Sequence, residues 1–155
     1  MTRTTDMTTT TTPPDNDLTE ALHSAMPFAA HLDIVAVSAD TEQVTTSAHW
    51  QPHYCGIGGV LHGGYLMALA DANGATLAFL NLAPGASTTT VESKTNFFRP
   101  VTAGSFTATS TMVHKGRTTM VVQTDITNAD GSLICRTAQT QIIRPAEGHA
   151  AATAP

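Results

Sequence analysis

The apolar positions of this chain change period once, and that change divides it into two kinds of structure. Residues 64–82, GYLMALADANGATLAFLNL, carry Leu, Met and Ala on every side of a helical projection. Asp71 is the one charge in the segment and Asn73 its polar neighbour. A helix that is apolar all round is buried on most sides, so the segment predicts one long buried helix, stopped by Pro84-Gly85. Beyond it, β-branched residues dominate. Residues 88–98, 104–114, 118–128 and 133–144 predict four strands, with turn signals at Arg99-Pro100, Lys115-Gly116 and Asp130-Gly131. Short links between consecutive strands predict an antiparallel meander.

Ahead of the helix the pattern is weaker. Residues 17–32 predict one or two short helical turns, with Asp17 as cap, Glu20 three positions on, and an interruption at Pro27. Residues 31–39 and 44–50 alternate and predict a hairpin. Residues 52–62, PHYCGIGGVLH, form a shaped loop rich in glycine and aromatics. The threonine-rich residues 1–17 predict a disordered tail, and residues 145–155 a second one. What remains, 18–144, is one α+β domain in which an antiparallel sheet of five to six strands wraps around one long central helix.

Composition narrows the function classes. With 155 residues, 41% of them hydrophobic, the chain can bury a core without metal or disulfide staples. Only 12% of residues are charged, against the ~25% usual in soluble domains, which points to surface that is uncharged or buried in an oligomer. A net charge of -5 argues against a nucleic-acid partner. Cys55 and Cys135 form neither a disulfide framework nor a metal motif. No apolar run suits a leader or a membrane span, so a cytoplasmic protein with reduced thiols is expected.

The candidate chemistry lies in residues 62–71. A charge inside an apolar helix is costly unless it is paired or hydrogen-bonded, so Asp71 is a structural carboxylate, a catalytic one, or one that finds solvent. His62-Gly63-Gly64 stands at the helix start, where free N–H groups can hold a carbonyl oxygen or a developing oxyanion. His62 itself suits holding the loop through a backbone hydrogen bond as well as it suits chemistry. Gly63 and Asp71 are eight residues apart, about 12 Å along a helix. One carbonyl carbon cannot lie about 3 Å from both, so joint action requires two subunits.

LHGGYLMALAD (61–71), with NFFRPV (96–101) and HKGRTT (114–119), resembles the signature of hotdog-fold acyl-CoA thioesterases over about residues 28–144. It is most similar to the phenylacetate-degradation type and to the 4-hydroxybenzoyl-CoA thioesterases of the Arthrobacter kind. The resemblance implies a hotdog fold, and cleavage of an acyl-CoA or aryl-CoA thioester to the acid and CoA. It also implies a homodimer or dimer of dimers. It places the catalytic acid at Asp71, the carbonyl-polarising N–H at Gly63 beside His62, and a water-assisting hydroxyl at Thr90. Asp71 and Gly63 would come from opposite subunits. Arg99, Lys115, Gly116, Arg117 and Thr118 fall in regions that hold the nucleotide or pantetheine arm.

Where many relatives carry Asn or Gln six positions before the histidine, this chain has Gly56, so His53, Tyr54 or Cys55 is expected to substitute, or the loop to be re-routed. The acyl pocket is expected at Tyr54, Leu61, Tyr65, Met67, Leu69 and Phe98, suited to an aryl or medium-chain group. No metal and no cofactor is expected, coenzyme A being part of the substrate. The alternatives are an enoyl-CoA hydratase or dehydratase of the same fold and a non-catalytic acyl-CoA binding protein.

Overall fold

The computed structural model describes residues 12–146, so most of the two expected tails, residues 1–11 and 147–155, lies outside the described residues. The folded part begins earlier than residue 18. Helix α1 (Asn16–Ala25) is capped by Asp15, whose extended backbone aims its carboxylate at the Leu18 N–H, 3.0 Å away. Asp17, the expected cap, lies inside the first turn, where its charge favours the helix dipole instead. Helix α2 (Pro27–His31) starts with proline at its first position, where a missing N–H costs nothing.

A hairpin of β1 (Val35–Ala39) and β2 (Gln43–His49) follows, then two short 3-10 turns, then α3 (Gly63–Leu80). Strands β3 (Ser87–Phe97), β4 (Ser105–Lys115), β5 (Thr119–Asn128) and β6 (Leu133–Arg144) complete one antiparallel six-stranded sheet in the order β1-β2-β4-β5-β6-β3. The expected meander holds only for β4, β5 and β6. Strand β3 pairs with β6, with Thr95 opposite Thr137, and forms an edge of the sheet. Residues 98–104 are not a hairpin turn but a crossover. They carry the chain past three strand spacings, about 14 Å, which seven residues span easily.

The inner face of this sheet holds α3. Leu66, Leu69 and Leu77 of the helix meet Phe106, Val122, Ile126 and Ile134, all buried. Asn73 points the same way, into a polar seam: its amide donates to the Val44 carbonyl at 3.0 Å and to Ser110 Oγ at 2.7 Å. One stripe of α3 stays uncovered by its own sheet, running through Gly64, Met67, Asp71, Ala75 and Phe79. Phe79 is 67% exposed. The single charge of the helix therefore stands on the single face that the fold leaves open.

A bulge in β3 between Thr90 and Glu92 shifts the alternation by one residue. Thr88 and Thr90 face inward before it, and Ser93 and Thr95 after it. Bulges re-aim side chains in this way, and this one directs Thr90 toward the helix. Cys135 is buried in the core, where loss of solvent pushes its thiol up to about 12, and Cys55 is half-buried with its thiol on the Gln51 carbonyl. No helix among the described residues is long and apolar enough to cross a membrane.

Candidate functional site

Two features of α3 carry chemical potential, and they sit about 12 Å apart on the helix. The first is its N-terminus. His62 is the cap residue, and its Nδ1 accepts the Gly64 N–H at 2.9 Å. The N–H groups of Tyr65 and Leu66 both go to the His62 carbonyl. The Gly63 N–H has no acceptor among the described residues, and the helix dipole makes it a ready donor. A Cβ on Gly63 would lie 3.2 Å from the Phe97 ring, so glycine keeps this approach open. His62 thus does the loop-holding work that its position allowed.

The preceding loop closes on itself. Cys55 bridges Leu61, the Gly56 N–H donates to the Val60 carbonyl, and the His62 N–H donates to the Tyr54 carbonyl. This brings Gly56 against the His62 ring, with room for a Cβ 3.5 Å from its Cδ2. None of the expected substitutes reaches into the site. The Tyr54 hydroxyl donates to the His31 carbonyl at 2.6 Å and lies 3.1 Å from Asp33 Oδ2. The Cys55 thiol is bound to Gln51, and His53 packs its ring on Tyr54. A cavity of about 330 Å³ opens here, lined by Gly63, Leu66, Phe97, Phe98, Arg99 and Val101. The expected acyl pocket does not form as a set. Tyr65 and Leu69 are core residues on the covered face of α3, and only Leu61 and Phe98 line this cavity.

The second feature is the Asp71 carboxylate. Its Oδ1 accepts from Gln139 Nε2 at 2.6 Å and from the Thr90 hydroxyl at 3.1 Å. Thr90 in turn accepts from Gln141 Nε2 at 2.8 Å, and Gln141 Oε1 accepts from Thr88. Two strands, β3 and β6, therefore grip one carboxylate oxygen, while Oδ2 accepts from no described residue. The fold brings Thr90 to Asp71. Gln139 and Gln141 were missed, although both stand at inward-facing positions of a strand, where glutamine is unusual. Gly74 was missed as well. A Cβ there would lie 2.2 Å from Gln139 Oε1, so the glycine inside α3 makes space for the amide that holds Asp71. A mid-helix glycine costs about 1 kcal/mol relative to alanine, and that cost is the visible signal.

Gln139→Leu keeps the volume and removes the donor. It is expected to lower kcat about tenfold with little change in KM, since a hydrogen bond to a charged group contributes roughly 1.5–3 kcal/mol. Steady-state kinetics with circular dichroism as a fold control check this. An equal rise in KM with kcat unaltered would assign Gln139 to binding instead.

The five residues expected along a nucleotide arm divide between the two ends of α3. Arg99 lies at the Gly63 end, with Nη1 donating to the Leu133 carbonyl at 2.7 Å. Lys115, Gly116, Arg117 and Thr118 form the β4–β5 turn at the other end, where Lys115 Nζ donates to Asn81 Oδ1 at 2.8 Å. A Cβ on Gly116 would lie 2.8 Å from His114 Nε2 and 3.1 Å from the Thr119 carbonyl oxygen, so a larger residue there would have to displace the His114 ring. Lys115 and Arg117 line a cavity of about 470 Å³ with Asn81 and Met120. An 18-residue helix, about 27 Å long, separates Arg99 from this turn within one protomer. Among the described residues no cluster of three or more His, Cys, Asp or Glu side chains is placed to hold a metal ion.

Comparison with known proteins adds a family to this geometry. A model of the thioesterase superfamily matches residues 58–135, which span the Gly63 N–H, Asp71 and Thr90. A candidate esterase of Saccharolobus solfataricus is 32% identical over 102 residues, covering 66% of this chain and 72% of that protein. The crystal structure of a thioesterase from Haemophilus influenzae is similar at a TM-score of 0.78 and 27% identity, over 86% of this chain and 94% of that one. A variant of a phenylacetic acid degradation protein from Thermus thermophilus shares the fold at a TM-score of 0.68 and 22% identity, over 75% and 97% of the two chains.

Proposed function

The chain belongs to the thioesterase superfamily and has its hotdog fold, and from that premise we propose that it hydrolyses an acyl-CoA or aryl-CoA thioester at a site shared between two protomers. The observation that carries this reading is the division of labour along α3. An unpaired N–H stands at Gly63, a half-gripped carboxylate stands at Asp71, and about 12 Å lies between them. A second protomer brings the missing half. Its helix would run antiparallel against the uncovered stripe, so that Gly63 of one copy faces Asp71 of the other. The exposed apolar side chains of Met67 and Phe79 on that stripe supply surface for such a contact.

In this arrangement the thioester oxygen accepts from the Gly63 N–H, which also stabilises the oxyanion as the carbonyl carbon becomes tetrahedral. Asp71 acts through Oδ2, the oxygen its neighbours leave free. As a general base it takes a proton from water as that water adds to the carbonyl carbon. The tetrahedral intermediate then collapses, the C–S bond breaks, and the sulfur leaves as CoA thiolate and takes up a proton. As a nucleophile, Oδ2 itself adds, CoA leaves, and water hydrolyses the mixed anhydride. Thr90, donating to Oδ1, orients the carboxylate in either route and stands near enough to assist the water. Lys115 and Arg117 of the β4–β5 turn, with Arg99 at the opposite end of α3, offer cations to the phosphates of the CoA arm.

The test is release of free thiol from a panel of acyl- and aryl-CoA thioesters, with Asp71→Ala as control. Turnover of at least one thioester that the variant does not match is expected. Tight CoA-thioester binding without turnover, unaffected by Asp71→Asn, would sink the enzymatic reading. Single turnover in ¹⁸O-labelled water identifies a nucleophilic route in which water adds to Asp71 Cγ, because that route passes an unlabelled Asp71 oxygen into the acid.

A further inference from the structure

A second cavity, of about 390 Å³, lies between α1, the last turns of α3 and the β1–β2 hairpin, and we infer that it receives the hydrocarbon tail of an aliphatic acyl group whose thioester carbonyl is held at Asp71. This rests on the hydrolytic reading above and adds the class of acyl group. Among the described residues, no charged side chain lines the cavity. Leu18 and Leu22 of α1, with Met26 just past its last turn, form one wall, Phe79 and Leu80 of α3 another, and small side chains such as Ala21, Ala25 and Ala39 leave the space between.

Helix α1 explains why the space calls for an apolar occupant. Leu18, Leu22 and Met26 recur every four residues and stack along one face, the pattern of a helix that buries a stripe. Yet no residue of α1 is buried in the fold. The stripe is half-buried, with Leu22 and Met26 packed on the edge of the core and the cavity open beside them. The cavity is also joined to the carboxylate. Ala75, which lines it, stands one turn beyond Asp71 on the uncovered stripe. Thr88, which also lines it, bonds Gln141, and Gln141 bonds the Thr90 that donates to Asp71. An acyl chain bound at Asp71 would pass Ala75 to enter the cavity and then run along α1. The lining of α1 runs from Leu18 to Met26, about 12 Å, which suits an extended chain rather than a single ring. The tail would belong to the protomer that supplies Asp71, not to the one that supplies Gly63.

The experiment compares acetyl-, hexanoyl-, decanoyl- and benzoyl-CoA by thiol release, in the full chain and in Ala21→Trp and Ala25→Trp. Both alanines are exposed, so the variants should fold. The expected result is a kcat/KM that rises about fourfold for each methylene the cavity takes up, and a decanoyl-to-acetyl ratio that falls at least tenfold in the tryptophan variants. A ratio near one in the full chain, or the same ratio in all three proteins, overturns the inference while leaving hydrolysis intact. If no thioester is cleaved at all, the reading of Asp71 fails and the cavity is judged by calorimetry with decanoate against acetate. Decanoate binding that Ala21→Trp abolishes supports it, and no difference between the two acids overturns it. A tryptophan variant that changes the sedimenting mass without changing the chain-length ratio would make the cavity a contact between copies, and would also overturn it.

Discussion

Asp71→Ala is expected to lower kcat/KM for thioester cleavage by about 10²–10⁴-fold, the range that a positioned acid or base contributes. Asp71→Asn should do nearly the same, because the amide keeps the size of the group but loses the lone pair that takes the proton. Neither change should unfold the protein. Asp71 stands on the open stripe of α3, and its loss leaves Gln139 and Thr90 able to bond each other, which they already do at 3.2 Å. The stronger form of this prediction concerns subunits. Asp71→Ala and a Gly63 variant that closes the helix N-terminus, such as Gly63→Val, are each expected to be inactive alone. Mixed by refolding or co-expression, they should recover roughly a quarter of wild-type activity, since half the dimers are mixed and each holds one intact site of two. No recovery, with mixed dimers present by mass, would place both groups in one chain's site and remove the shared geometry.

The second large effect is on stability. Phe106→Ala should destabilise the fold by about 3–5 kcal/mol, the range for emptying a buried aromatic position. Phe106 is 1% exposed on the inner face of β4, and its ring meets Tyr65 edge-on, with centroids 6.1 Å apart. Tyr65 is itself tied down by its hydroxyl, which donates to the Leu32 carbonyl at 2.6 Å. Removing the Phe106 ring therefore opens space between the sheet and the first turns of α3 that the tyrosine cannot fill. Thermal unfolding should shift by roughly 10 °C for a chain of this size, measured at fixed protein concentration. Phe98→Ala provides the contrast. Its ring is 53% exposed, and a change within about 0.5 kcal/mol is expected from an exposed position. Equal shifts in the two variants would mean that the core is not where the burial places it.

Much of this was legible along the chain. The all-round apolar character of residues 64–80 required a buried helix, and the β-branched segments after it required strands to enclose it. The single charge at Asp71 could be singled out because every neighbour argued against it. The proposal of a second subunit likewise starts from the length of a helix and the reach of one reaction. Other features were fixed by contacts between residues far apart in sequence. The hydrophobic pattern is the same whether β3 pairs with β4 or with β6, so only packing around α3 decided the strand order. The bulge at Thr90, the Gln139 grip on Oδ1 and the space that Gly74 leaves for it join positions 90, 139 and 74 to position 71. No local propensity encodes such a grouping. The apolar stripe of α1 was visible as a short helix, but whether it met a core or an open cavity depended on how far α3 and the hairpin stand from it. The sequence by itself determined which segments must be buried and which carboxylate was anomalous, because burial and charge are properties of each residue. The tertiary structure alone decided which oxygen of that carboxylate is held and which is free, because that is a property of the neighbours.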